Sequence, residues 1–155
     1  MTKEEIIIDT ICQVLVQKKS KELIYSILNH YIPNYEKINL DYTGKPDDMH
    51  YVFSSEDEML QTYIDASDVA QTFYWNSNTK NPNKIMVGVN ITSDNQMVIS
   101  LTFNGTETTC QKYYLGLKNF LNSNIGIISY IDPADYEDGL DFKEKFETII
   151  YDFEK

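Results

Sequence analysis

Arginine is missing from this chain: all 13 basic residues are lysine. Without the planar guanidinium fork there is no bidentate grip on phosphate or carboxylate, which argues against nucleotide binding and phosphoryl transfer. The lysine-, asparagine- and isoleucine-rich composition of an AT-rich genome accounts for the same absence equally well. Positive charge is scarce altogether. A formal net charge of -11 at pH 7 repels nucleic acid and anionic membrane and attracts basic partners. Cysteine occurs only as Cys12 and Cys110, too few for a disulfide framework. With no lysine- or histidine-rich setting to activate them, both read as packing residues on two expected helices.

No apolar stretch approaches the ~20 residues that span a bilayer. The opening "MTKEEIIIDTICQVLVQKK" carries acids beside its first apolar run and has no small-residue cleavage site, unlike a secretory signal. The expected compartment is therefore the cytoplasm, and the sequons at Asn90 and Asn104 are taken as chance matches. His30 and His50 stand in no H-E-x-x-H or Cys/His pattern, so no metal site or cofactor is expected. A nucleophile elbow, a P-loop and a G-x-G-x-x-G turn are also absent.

What is present is a foldable chain of 155 residues, 42% hydrophobic, large enough for one domain over residues 1–155 without metal or disulfide staples. Thr2 and Glu5 form an apparent capping box ahead of Ile7, Ile8, Ile11, Cys12 and Leu15 at helical spacing. Ser20 caps a second helix with Leu23, Ile24, Ile27, Leu28 and Tyr31 on one face, ended by Pro33. "YEKINLDY" and "MHYVFSS" read as short strands. Ser55 with Glu58 opens a helix burying Met59, Leu60, Tyr63 and Ile64.

"VAQTFYW" reads as a strand, and "KIMVGVNIT" and "QMVISLTF" as an antiparallel hairpin turning at "SDN". Thr108 with Gln111 is expected to cap a helix bearing Tyr113, Tyr114, Leu117, Phe120 and Leu121. "IGIISYI" suits a buried strand. Phe142, Phe146, Ile149, Ile150 and Phe153 suit a terminal helix begun at Asp141. The expected class is α+β: an N-terminal helical pair, a mostly antiparallel sheet with interspersed helices, and a C-terminal helix.

The segment "YIDPADYEDGLDF" concentrates Asp132, Asp135, Glu137, Asp138 and Asp141. An EF-hand register fails there: with Gly139 sixth, Ala134, Tyr136 and Lys145 fall at positions 1, 3 and 12. Paired-carboxylate catalysis needs acids in contrasting environments, whereas Pro133 and Gly139 predict an exposed loop. A solvated charged loop leading into a helix is the commonest fate of such a run. No catalytic residue is assigned.

Tyrosine supplies 12 residues, several of them beside acids, as in "LDYTGKPDDMHY" and "SYIDPADYEDG". Rings give apolar contact at low entropy cost and carboxylates select a basic partner, as in a protein interface. The expected partner-binding residues are Asp132, Asp135, Tyr136, Glu137, Asp138 and Asp141, with Asp47 and Asp48.

"YWNSNTKNPNKIMVGVNITSDNQMVISLTF" followed by "KYYLGLKNFLNSNIGIISY" resembles the immunity proteins of bacterial toxin–immunity systems, including contact-dependent inhibition and other polymorphic toxins. These families share no common motif, so no functional residue is carried over. The resemblance implies a non-enzymatic, stoichiometric inhibitor that binds a cognate, basic toxin domain. An enzyme with an undeclared carboxylate site and a generic interaction adaptor are the alternatives.

Overall fold

The computed structural model describes residues 7–155. In chain order these form β1 (Ile8–Val16), α1 (Lys21–Tyr31), a 3-10 turn (Leu40–Tyr42), α2 (Glu56–Asp65), β2 (Gln71–Trp75), β3 (Met86–Ile91) and β4 (Met97–Gly105). Then follow α3 (Glu107–Leu121), β5 (Gly126–Tyr130), α4 (Gly139–Phe146) and a second 3-10 turn (Asp152–Glu154). The strands make one sheet in the order β2-β3-β4-β1-β5, antiparallel at every step. The class is α+β, as the sequence pattern indicates.

The first expected helix is instead strand β1, between β4 and β5 in the sheet. The Thr2–Glu5 pair that motivated the helix lies outside the described residues. A strand buried on both faces is apolar nearly throughout, so its apolar positions also satisfy helical spacing. Ile8, Thr10, Ile11, Val14 and Val16 are β-branched, and that composition is what favours the extended chain. Helix α1 starts as expected at Ser20, whose hydroxyl accepts the N–H of Leu23 at 3.1 Å.

The two short strands expected before α2 do not form. Their stretches run as a 3-10 turn and irregular loop, with Ile38, Leu40 and Tyr51 packing on the main core and Phe53 inside it. Glu56 ties this loop down: its buried carboxylate accepts the Ile38 N–H at 2.9 Å and the Trp75 indole N–H at 3.0 Å.

Alternation along the strands sorts the sheet into two faces. Cys12, Val14, Phe73, Trp75, Val87, Val89, Ile91, Ile99, Leu101 and Phe103 join Ile24, Ile27, Leu28, Met59, Leu60, Tyr114 and Leu117 from the helices in the main core. Cys12 is thus a strand residue, and both cysteines are buried free thiols. The Cys12 thiol is pushed well above its usual range by its hydrogen bond with Cys110 and by burial.

The opposite face is only half covered. There Leu15 and Val98 pack with Phe142 of α4, flanked by Ile127, Tyr136 and Phe146.

Three boundaries differ from expectation. Helix α3 is capped by Thr106, whose hydroxyl accepts the Thr109 N–H, not by Thr108. Helix α4 is capped by Asp138, which accepts the Asp141 N–H at 2.8 Å, and it ends at Phe146. Ile149 and Ile150 therefore lie beyond it, and Phe153 belongs to the second 3-10 turn. β5 is an edge strand, and the Tyr151 hydroxyl accepts its Ile128 N–H at 2.9 Å.

Candidate functional site

The acidic segment forms a strap that leaves β5, crosses the half-covered face and enters α4. It begins on a strained residue. Ile131 has φ 70, a region costly to a β-branched side chain, and the Asp132 N–H bonds the Tyr130 carbonyl across it at 2.8 Å. That is the rare turn of three residues with a positive central φ.

Two side chains on the sheet then fasten the strap. Gln13 accepts the Ala134 N–H through Oε1 at 2.8 Å and donates to the Ala134 carbonyl at 3.5 Å. Asn90 accepts the Thr72 hydroxyl at 3.0 Å and donates to the Tyr136 hydroxyl. The Tyr136 ring stands edge-on to Phe142, centroids 5.0 Å apart. Burial raises the Tyr136 phenol, against the opposing pull of the Asn90 bond.

The far end is held by carboxylates. Asp94, in the β3–β4 turn, accepts the N–H groups of Gly139 and Leu140, each at 2.9 Å. A Cβ at Gly139 would meet the Gln96 amide at 2.5 Å, so that side chain would have to move aside. Asp141 accepts the Glu137 N–H at 2.8 Å and pairs with Lys145 at 3.1 Å. Those two interactions, the backbone bond first, lower its pKa below the ordinary carboxylate value.

The acids expected to act together therefore divide by position. Asp132, Asp135 and Glu137 are exposed, and no lysine forms an ion pair with them among the described residues. Asp138 and Asp141 are half-buried and hold the α4 N-terminus together, while Tyr136 is a half-buried wedge between strap and sheet. Asp47 and Asp48 are not brought to the strap. They sit in a turn closed by mutual backbone bonds of Lys45 and Asp48, and the Tyr63 hydroxyl of α2 donates to the adjoining Gly44 carbonyl. Tyr63 belongs to the main core on the other face.

Between the strap and β2, β3 and β4 the face stays open as a cleft of about 400 Å³. Gly88, Ser100 and Thr102 contribute to its lining, with Tyr74 on one side and Ile131, Pro133 and Asp135 on the other. Tyr74 pairs directly across the strands with Gly88, and its ring lies 3.0 Å from where a Gly88 Cβ would stand. An aromatic ring laid over a strand glycine is a stabilising cross-strand arrangement. Tyr74 is 56% exposed and Ile131 77% exposed.

Neither residue was singled out from the sequence, although alternation in "QTFYW" separates Tyr74 from Phe73 and Trp75. Ile131 was hidden by its resemblance to the last residue of a buried strand. Among the described residues no group of three or more His, Cys, Asp or Glu side chains is disposed to hold a metal ion. No described helix is long and apolar enough to cross a membrane.

No family model and no curated protein matches the sequence. Among solved structures, a chain of the crystal structure of the toxic C-terminal tip of CdiA from Pseudomonas aeruginosa in complex with immune protein is similar at 10% identity. The alignment covers 84% of this chain and 92% of that one, with a TM-score of 0.42.

Proposed function

We propose that this chain is a non-enzymatic immunity protein that binds and neutralises a basic bacterial toxin domain in the cytoplasm. The observation that carries the reading is the pairing of charge with apolar exposure on one face. Asp132, Asp135 and Glu137 stand exposed with no lysine ion-paired to their carboxylates among the described residues, next to exposed Ile131 and an open cleft walled by Tyr74. Carboxylates so placed steer a cationic surface into encounter, and exposed aromatic and aliphatic side chains beside them bury area once contact is made. The net charge of -11 acts in the same direction over the whole molecule.

These acids lie in water on a surface strap and lack the enclosed setting that carboxylate catalysis requires. The test is co-expression with the product of the adjacent gene. A stoichiometric complex on copurification, with growth restored by this chain, is the expected result. Unrestored growth, or rescue without a complex, would overturn the reading.

A further inference from the structure

We propose that the open cleft on the sheet is the docking site for an extended segment of the basic partner, and that it receives a lysine or arginine side chain. The inference rests on the reading of the chain as a binder of a basic protein and adds the place and chemistry of contact.

Charge complementarity selects this occupant. Of the described residues lining the cleft, Asp135 alone is charged; Gly88, Ser100, Thr102 and Asn90 are small or polar, and no lysine is among those described. Asp132 and Glu137 extend the negative rim along the exposed strap. Ile11, Met86, Val98 and Ile131 make part of the lining apolar, and an anionic segment finds no cationic counterpart among the described lining residues. A long basic side chain does, because its aliphatic stem lies along apolar surface while its cation reaches a carboxylate. Tyr74 and Ile131 offer that surface, and the tyrosine face adds attraction for a nearby cation.

The rim is ready for it. The strap is fixed at Ala134, Tyr136 and Gly139, so its rim does not have to be ordered on binding. The Tyr136 hydroxyl is already engaged by Asn90, which leaves Tyr74 as the available ring. Recognition therefore centres on Tyr74, Ile131 and Asp135, three positions from β2 and the strap.

The experiment titrates the tripeptide acetyl-Gly-Arg-Gly-amide into the isotope-labelled chain and follows backbone amide shifts, with acetyl-Gly-Gln-Gly-amide as the neutral control. The expected result is saturable change concentrated at Gly88, Ser100, Thr102 and Asp135 for the arginine peptide only. Asp135→Asn, on the exposed strap, should weaken that binding roughly two- to fivefold, the range for a solvent-exposed charge pair. Tyr74→Ala should weaken it too, with unchanged shifts elsewhere showing that the sheet is intact.

Equal response to both peptides, or changes scattered over the acidic surface, would overturn the cleft as the site. Such a failure leaves growth rescue by co-expression unaffected. Failed rescue alongside localised peptide binding would instead remove the immunity reading and keep the cleft.

Discussion

The carboxylate of Asp94 caps a helix to which it does not belong. It lies in the turn between β3 and β4 and receives the first two N–H groups of α4, from Gly139 and Leu140, while Asp138 serves the same helix from its own N-cap. Through this contact the sheet holds the strap over its half-covered face. The arrangement follows from the positive end of the helix, whose unsatisfied N–H groups favour negative charge.

Asp94→Ala should therefore loosen α4 and the strap at a cost of about 1 kcal/mol, the size of a lost N-cap. Faster hydrogen exchange at Gly139 and Leu140, with β3 and β4 unchanged, is the expected result. The contact is also pH-dependent. Partial burial works to raise the Asp94 pKa, but the bonds from Thr92, Gly139 and Leu140 outweigh it and the pKa is lowered. A lowered carboxylate gives stability that is complete above the unfolded value, about 4, and is lost as pH falls through the folded value. Native protection of α4 should persist at pH 5–7 and fade only below about pH 4.

The two phenylalanines of α4 should separate clearly. Phe142 is fully buried against Leu15 and Val98, whereas Phe146 is half-buried. Phe142→Ala should destabilise by about 3–5 kcal/mol, and Phe146→Ala by roughly half as much. Chemical denaturation of the two variants measures the difference; equal losses would contradict the packing described.

Glu56 offers a test with its own reporter, because Trp75 is the single tryptophan. Glu56→Leu leaves the Trp75 and Ile38 N–H groups without their acceptor and should cost about 2–3 kcal/mol, with a shifted indole fluorescence maximum. Glu56→Gln keeps an acceptor oxygen and should recover part of the loss. An unchanged spectrum in both variants would show that the indole bond is absent in solution.

What could be read from the sequence depended on whether one element decided its own structure. Ser20 and Ser55 cap helices where their hydroxyls and the following apolar stripes place them, and the β3–β4 hairpin follows from alternation about a polar turn. β1 carries helical spacing in its sequence because burial on both faces erases alternation, and that burial comes from β4, β5 and the covering helices. The acid cluster was visible, but its division was not. Asp138 and Asp141 act on the backbone at and just before the start of α4 through partners three and four residues away, whereas Asp94 reaches the same helix from another turn. Tyr74 and Ile131 meet across one cleft only once the sheet order is set.

The strain at Ile131 can be separated from any role in recognition. Ile131→Gly removes the penalty of a positive φ and should stabilise the fold by up to about 1 kcal/mol, less the entropy glycine adds to the unfolded chain. If Ile131 also forms part of the docking surface, the same variant should bind the copurified partner more weakly while melting no lower than wild type. Loss of stability together with loss of binding would mean that the side chain is a packing residue.

Charge on the strap should govern the rate of encounter. Asp132, Asp135 and Glu137 are the acids to neutralise, because Asp138 and Asp141 hold α4 and their replacement would confuse folding with binding. The variant Asp132→Asn, Asp135→Asn and Glu137→Gln should melt like wild type. It should associate with the partner more slowly at low salt and lose much of the salt dependence, since exposed charges are screened over about 10 Å at 0.1 M. Dissociation should change less, because release depends on the desolvated contacts around Tyr74 rather than on rim charge. Stopped-flow association at two salt concentrations separates the cases. Wild-type rates at both would reduce the strap acids to a solvated surface and move the basic partner elsewhere on the molecule.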